Sequence, residues 1–369
     1  MTTHPQEAVR ALKSEGAIVI DADAHVVECE STWDYLDAAE ARLRPTLEAD
    51  PDDPDQKFWS VAGKRLGFRF PALTVEALRT RSERTGRRFE IQTSQVDDID
   101  LRLQIMTETG IDLQVCHNTL WIERVADDPE VDVAMCRSWN RWLADKSQRA
   151  GGRIRWTCVV PTLNIEEAIK QAKFAKANGA VGVCLRPLEA DRIVTDPYFY
   201  PIFEAAQDLD MAIAIHIANG SPENVALWRG ALGGLGAFRA PAVLACAAYL
   251  LSPIHETFPR LRWGFIEASA QWLPWIVREV KQRFIERGSK FPENILDEYN
   301  VFVTCQNDDD VPYLIKGGLL GGLVIGTDFG HFDPSSDIDA ITKFLDNDEL
   351  SDGDKEQILY HNPKALYGL

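Results

Sequence analysis

The sequence predicts an α/β fold of the (β/α)8 TIM barrel type, with a long insertion after the first strand. Three observations carry this. Eight short apolar runs rich in β-formers recur along the chain, with helical stretches between them. The runs are near-continuously apolar rather than alternating, as expected of parallel strands covered on both faces. No glycine-rich phosphate loop follows the first run, which argues for a closed barrel over an open doubly wound sheet.

The runs are AIVIDADAH (17–25), DLQVCHNT (112–119), RIRWTCVVP (153–161), AVGVCLRP (180–187), AIAIHI (212–217), LRWGFIEA (261–268), VFVTCQN (301–307) and LVIGTDFGH (323–331). The segments between them carry helical periodicity. IEEAIKQAKFAKANG precedes the fourth run, with Gly179 at the helix end, where a left-handed residue is needed. The 369 residues leave room for two domains by length. Barrels with insertions reach this size as one unit, so residues 1–369 are expected to form a single barrel domain. Residues 26–96 form the insertion, rich in Pro, Asp and Arg, and are expected to act as a lid or binding subregion. Its Arg run, 79–88, is expected to be a solvated helix face. A second long connection, 218–239, carries a glycine cluster.

Apolar residues make up 45% and charged residues 26%, an ordinary soluble balance. No apolar run approaches the roughly 20 residues that span a bilayer. The longest, 240–251, reads as a buried helix. The first 16 residues have no apolar signal core, so a cytoplasmic location is expected. The net charge of −18 repels nucleic acid and anionic membrane. The expected partner is a small-molecule substrate. The seven cysteines include no CxxC pair and read as buried, reduced thiols.

In such a barrel, chemistry sits at the C-terminal strand ends. The first run ends in Asp23 and His25, two apart and so on one side of the strand. The fifth ends in His216, the sixth in Glu267, and the eighth in Asp328, with His331 three residues on. Two imidazoles and several carboxylates converging on one mouth suit a divalent ion. They would be costly to bury without a cation. Glu267 is open to three readings: a ligand of that ion or of a second one, a nearby base, or a structural partner of Arg262. His117 ends the second run and Arg186 the fourth. Arg186 is a candidate to grip a substrate carboxylate. Trp121 and Trp228 are candidate walls for an apolar or aromatic substrate.

DADAHVVE on strand one, His216, RLQIMTETGIDLQV (102–115), FPRLRWGFIEASAQWLPW (258–275), GTDFGHFDPSSD (326–337) and HNPKALYGL (361–369) resemble the amidohydrolase-2 group of the amidohydrolase superfamily. That group holds metal-dependent hydrolases and nonoxidative decarboxylases related to aminocarboxymuconate-semialdehyde decarboxylase. The resemblance runs from about residue 17 to the C-terminus. It implies Asp23, His25 and His216 as metal ligands, with Asp328 binding metal and moving protons. His331 is implied as a residue contacting substrate or orienting Asp328. A homodimer is also implied.

This sequence departs from the group's pattern at two positions. Asp23 stands where the superfamily often has His, and Glu267 stands where the decarboxylases have a catalytic His. On that second departure the sequence favours hydrolysis of an amide, lactone, ester or thioester, with Asp328 and Glu267 handling protons. Decarboxylation of an aromatic or enolic acid is the alternative. The carboxylate-rich set suits one or two ions of Zn²⁺, Mn²⁺ or Fe²⁺.

Overall fold

In the computed structural model, the residues described are 16–52, 57–68, 80, 82–86, 93–332 and 334–369. Of the Arg run at 79–88, positions 79, 81, 87 and 88 lie outside the described residues. Eight strands form one parallel sheet in chain order: β1 (Ile20–His25), β2 (Leu113–His117), β3 (Ile154–Val159), β4 (Ala180–Leu185), β5 (Ala212–His216), β6 (Trp263–Ile266), β7 (Val301–Cys305) and β8 (Leu323–Ile325). The sheet closes on itself just past β8. The amides of Thr327 and Asp328 donate to the Asp23 carbonyl at 3.1 and 2.8 Å, and the His25 amide donates to the Phe329 carbonyl at 2.7 Å. This is a (β/α)8 barrel.

Strand one is less regular than side-chain alternation implies. Its ladder with β2 shifts register between Asp21 and Ala24. Plain alternation puts Asp21, Asp23 and His25 on one side. The irregularity re-aims part of the strand. Asp21 accepts from Gln114 Nε2 at 2.9 Å and from the Thr327 hydroxyl at 2.6 Å, while Asp23 and His25 meet at the mouth. Gly326 makes the closure possible, since a Cβ there would fall 2.2 Å from Asp23 Cβ.

The helices follow the strands. α1 (Ile99–Glu108) brings in Arg102, fully buried, which donates to the His25 carbonyl at 2.9 Å and to Gln114 Oε1 at 2.9 Å. α2 (Pro129–Arg149) has Asp128 as its N-cap and Pro129 in its first turn, a favoured start. Tyr367, near the C-terminus, is buried and donates to the Ala22 carbonyl at 2.8 Å. Within the insertion, residues Thr46–Ala49, Lys57–Val61 and Lys64–Phe68 form a small antiparallel sheet.

The stretch Pro222–Leu250 is long and apolar enough, by length and composition, to cross a membrane, with a third of its most apolar window buried. It is not one uniform helix. Gly233 leaves helical geometry at φ 56, ψ −140, and residues Leu235–Arg239 form a π-helical turn. Arg229 and Phe238 from this stretch line the cavity described next.

Asp132 on α2 is buried without a partner for its Oδ2. Burial pushes its carboxyl up to about 7, against the opposing pull of Arg186. A carboxyl that binds its proton more tightly when folded stabilises the fold at low pH. That stability is lost as pH rises through about 7. The metal-free protein is therefore expected to lose stability between pH 5.5 and 8. Asp132→Asn should reduce that loss by ~2 kcal/mol, read by urea denaturation at the two pH values. An unchanged difference would exclude Asp132 as a source of the slope. Asp21 and Glu28, raised to about 6 and about 7 mainly by burial, act in the same direction and leave a residual loss in Asp132→Asn.

Candidate metal centre and substrate cavity

Five of the residues singled out in the sequence, with His331 beside them, meet at the C-terminal mouth. Ligand atoms of Asp23, His25, His216 and Glu267 lie within 4.8 Å of one another, and so do those of His25, Glu267, Asp328 and His331. His25 Nε2 is 3.0 Å from His216 Nε2 and 3.5 Å from Asp23 Oδ1. Glu267 Oε2 lies 3.5 Å from His25 Nε2 and 3.3 Å from His216 Nε2. Asp328 Oδ1 is 3.4 Å from His25 Nε2. All five are buried.

Each position is fixed by its strand end. His25 Nδ1 faces the Asn118 carbonyl at 2.9 Å, which accepts an N–H and leaves Nε2 as the ligating nitrogen. Glu267 follows β6 directly, and Asp328 lies three residues past the end of β8. Both are non-glycine residues in the left-handed region, at φ 65 and φ 49. Such backbone costs ~1–3 kcal/mol and persists where the surroundings hold it. The Glu267 amide donates to Thr304 Oγ1 at 2.6 Å. Asp328 Oδ2 accepts from the Ser336 hydroxyl at 2.6 Å.

The electrostatics fit a cation. Burial works against charge on Asp23, but the two imidazoles at His216 and His25 outweigh it and hold the carboxyl well below the usual range. Burial, with His331 nearby, pulls His25 down to about 3, so it stays neutral and able to ligate. Burial also opposes charge on His216, yet Asp23 and Glu267 lift it to about 8. Asp23 Oδ1 is buried with no hydrogen-bond partner and points at both histidines. A divalent ion among these donors would satisfy that oxygen and lie between two nitrogens that otherwise crowd each other.

Beside this centre is a cavity of about 240 Å³ with mostly apolar walls, among them Leu120, Trp121, Ile217, Phe238 and Phe332. That suits a single-ring ligand, since drug-sized pockets run ~300–1,000 Å³. Trp121 is in the wall as expected. Trp228 is not; it is 41% exposed on the helix Pro222–Gly234 and faces away. His117 is also not in the wall. It is buried behind His25 and His216, with Nδ1 2.9 Å from the Thr157 hydroxyl and ring centroids 5.9 and 5.2 Å from theirs. Arg186 lines the cavity, but its guanidinium pairs with buried Glu189 at 2.6 and 2.9 Å, which occupies the fork expected to grip a substrate. Arg262 pairs with Asp210 at 2.7 Å, which removes it as the structural partner of Glu267.

Three supporting residues escaped the sequence reading: Ser336 on Asp328, Glu189 on Arg186, and Thr119 on His331. The Asp-to-Ser spacing of eight residues in a loop has no periodic signature. Arg186 and Glu189, three apart with a proline between, gave the only local hint. Glu28 accepts from the amides of Thr119 and Leu120 and from Trp139 Nε1, and so holds the loop after β2 in place.

Similarity to known proteins agrees with this geometry. A family profile described as Amidohydrolase matches residues 20–286. The chain is 23% identical over 300 residues to a gamma-resorcylate decarboxylase from Polaromonas sp. (strain JS666), covering 76% of this chain and 90% of that protein. Among solved structures, an amidohydrolase from Mycobacterium avium subsp. paratuberculosis K-10 superposes with a TM-score of 0.77 at 18% identity, covering 96% of this chain and 98% of that one. A 5-carboxyvanillate decarboxylase from Novosphingobium aromaticivorans DSM 12444, in complex with manganese and a nitrobenzoic acid ligand, superposes at 0.66 with 16% identity, covering 96% and 97%. Two of these three relatives are named for decarboxylations and the third only as an amidohydrolase, with no specific hydrolysis named, which gives the expectation of hydrolysis no support. The chain is an enzyme of the amidohydrolase family.

Proposed function

We propose that the enzyme is a divalent-metal-dependent nonoxidative decarboxylase of hydroxylated aromatic carboxylic acids. The observation that carries this is the pairing of a buried donor set with a single-ring apolar cavity beside it. The name of the gamma-resorcylate decarboxylase relative supports the substrate class, and the manganese in the 5-carboxyvanillate decarboxylase complex supports Mn²⁺ as the first ion to try. Asp23, His25, His216 and Glu267 would hold the ion, with Asp328 at its edge. Bound there, a divalent ion supplies Lewis-acid charge that anchors anionic substrate oxygens.

The chain's own residues do the rest. Trp121, Ile217 and Phe332 hold the ring and exclude water. As the bond between ring and carboxylate breaks, its electron pair stays on the ring carbon and carbon dioxide leaves. That carbon then takes a proton, which Asp328 would give, with the Ser336 hydroxyl 2.6 Å from one of its oxygens and His331 Nδ1 2.8 Å from the other. One substrate carboxylate and one proton become carbon dioxide and the ring C–H, with no redox partner.

The test uses protein stripped of metal and reloaded with Mn²⁺ or Zn²⁺. Carbon dioxide release from a panel of ortho-hydroxylated benzoates is expected, abolished by chelator and restored by the ion. Hydrolysis of an ester and lactone panel without carbon dioxide from any acid would overturn the proposal in favour of metal-dependent hydrolysis.

A further inference from the structure

Among the described residues, two arginines and no lysine line the cavity, and each arginine is held by a glutamate that lines it too. Arg229, half exposed at the rim, pairs with Glu123. Arg186 is buried and pairs with Glu189, which is also buried. Glu189 Oε1 lies 2.6 Å from Arg186 Nε, and Arg186 Nη2 donates to Oε2 at 2.9 Å. Arg186 Nη1 is committed as well, donating to the Trp121 and Glu123 carbonyls at 3.4 and 3.3 Å. On the other side of the pair, the Thr162 hydroxyl donates to Glu189 Oε2 at 3.2 Å.

The loop after β5 packs directly onto this pair. The Gly220 amide donates to the Leu188 carbonyl at 2.8 Å, and the Ala190 amide donates to the Gly220 carbonyl at 3.0 Å. A Cβ on Gly220 would fall 2.8 Å from Glu189 Oε2 and 3.0 Å from Arg186 Nε, so the loop comes this close only because the residue is glycine. The guanidinium is thus held by a carboxylate on its fork and by backbone around it. What this wall presents to a ligand is an ion pair of zero net charge among apolar side chains. A neutral ring substituent meets no unmatched charge there. A carboxylate would give up its water for a cation that is already matched, and would face Glu189 as a like charge.

We propose that Glu189 is a specificity-determining residue: by neutralising and immobilising Arg186, it restricts the cavity to ring acids whose only anionic group is the one at the metal centre. That the ligand is a ring acid rests on the decarboxylation reading. The selection by charge rests on the two buried side chains. The rim pair of Arg229 and Glu123 is open to solvent and contributes less.

The experiment uses the full-length, Mn²⁺-loaded protein and 2-hydroxybenzoates that carry, at each open ring position in turn, a carboxylate or a carboxamide. The two groups are alike in shape and differ in charge. Binding is read by calorimetry, and carbon dioxide release is followed separately. At the position where the amide binds best, the wild type should bind the amide at least about tenfold more tightly than the acid. Glu189→Gln leaves Arg186 unmatched. Asp132→Asn in the same chain keeps that buried carboxyl, which feels the charge of Arg186, from taking over the role. In the Glu189→Gln/Asp132→Asn protein the ratio should move toward the acid by at least about tenfold, whereas Glu123→Gln should move it less than about threefold.

Equal binding of acid and amide by the wild type would overturn the proposal, and so would an unchanged ratio in the double variant. If the double variant does not fold, Glu189→Asp decides the matter. A carboxylate one methylene shorter cannot keep both contacts, and the ratio should move toward the acid by about threefold or more; no movement would overturn the proposal. If no acid of the set releases carbon dioxide while the ratios behave as expected, the decarboxylation reading fails and the charge selection stands. Failure of every compound to bind would overturn both.

Discussion

Asp328→Asn is expected to lower carbon dioxide release about 10²–10⁴-fold, while KM changes only a few-fold and the protein still folds and binds metal. Asparagine fills the same volume and keeps an oxygen to accept the Ser336 hydroxyl, now 2.6 Å from Oδ2. Its amide group, however, offers N–H rather than a carboxyl oxygen to His331 Nδ1, which now lies 2.8 Å from Oδ1. The carboxyl that would carry the transferred proton is then gone from this edge of the site. The split between kcat and KM separates this from a loss of binding. Turnover within threefold of wild type would remove Asp328 as the proton source. A parallel fall in metal content would make it chiefly a ligand.

Much of this site was legible because strand ends are legible. Asp23, His25, His216, Glu267 and Asp328 each close an apolar run, and in a barrel those ends share one mouth. What was not legible depends on the backbone departing from regular geometry. The register shift between Asp21 and Ala24 sends Asp21 to Gln114 and Thr327 rather than to the mouth, and no local pattern marks it. β8 stops at Ile325, so Asp328 is held by a left-handed turn rather than by strand pleat. Trp228 and His117 failed for a related reason. Being near a strand end in sequence does not say which way a loop helix turns or which neighbours a side chain packs against. Arg186 does line the cavity, and its pairing with Glu189 was not legible because a buried arginine takes its counter-ion from whatever carboxylate the fold brings near.

Glu267→Gln is expected to weaken metal binding at least about tenfold, and to shrink the stabilisation that saturating metal gives by ~1.4 kcal/mol or more. The reasoning starts from how many ions this site can hold. The two donor groups at the mouth share His25 and Glu267. His25 Nδ1 is committed to the Asn118 carbonyl at 2.9 Å, which leaves one lone pair, on Nε2, and one lone pair binds one ion. Without His25, the second group contains His331, whose nitrogens face Asp328 and Thr119. One ion per chain is therefore expected, with Glu267 Oε2, 3.3 and 3.5 Å from the two histidine nitrogens, as a donor to it. Glutamine preserves the volume and an oxygen but removes the charge. Elemental analysis should then read near one ion per wild-type chain and distinctly less for Glu267→Gln at limiting metal. A wild-type value near two would refute the single-ion argument. Unchanged affinity in Glu267→Gln would mean that the left-handed backbone at this residue serves something other than the ion.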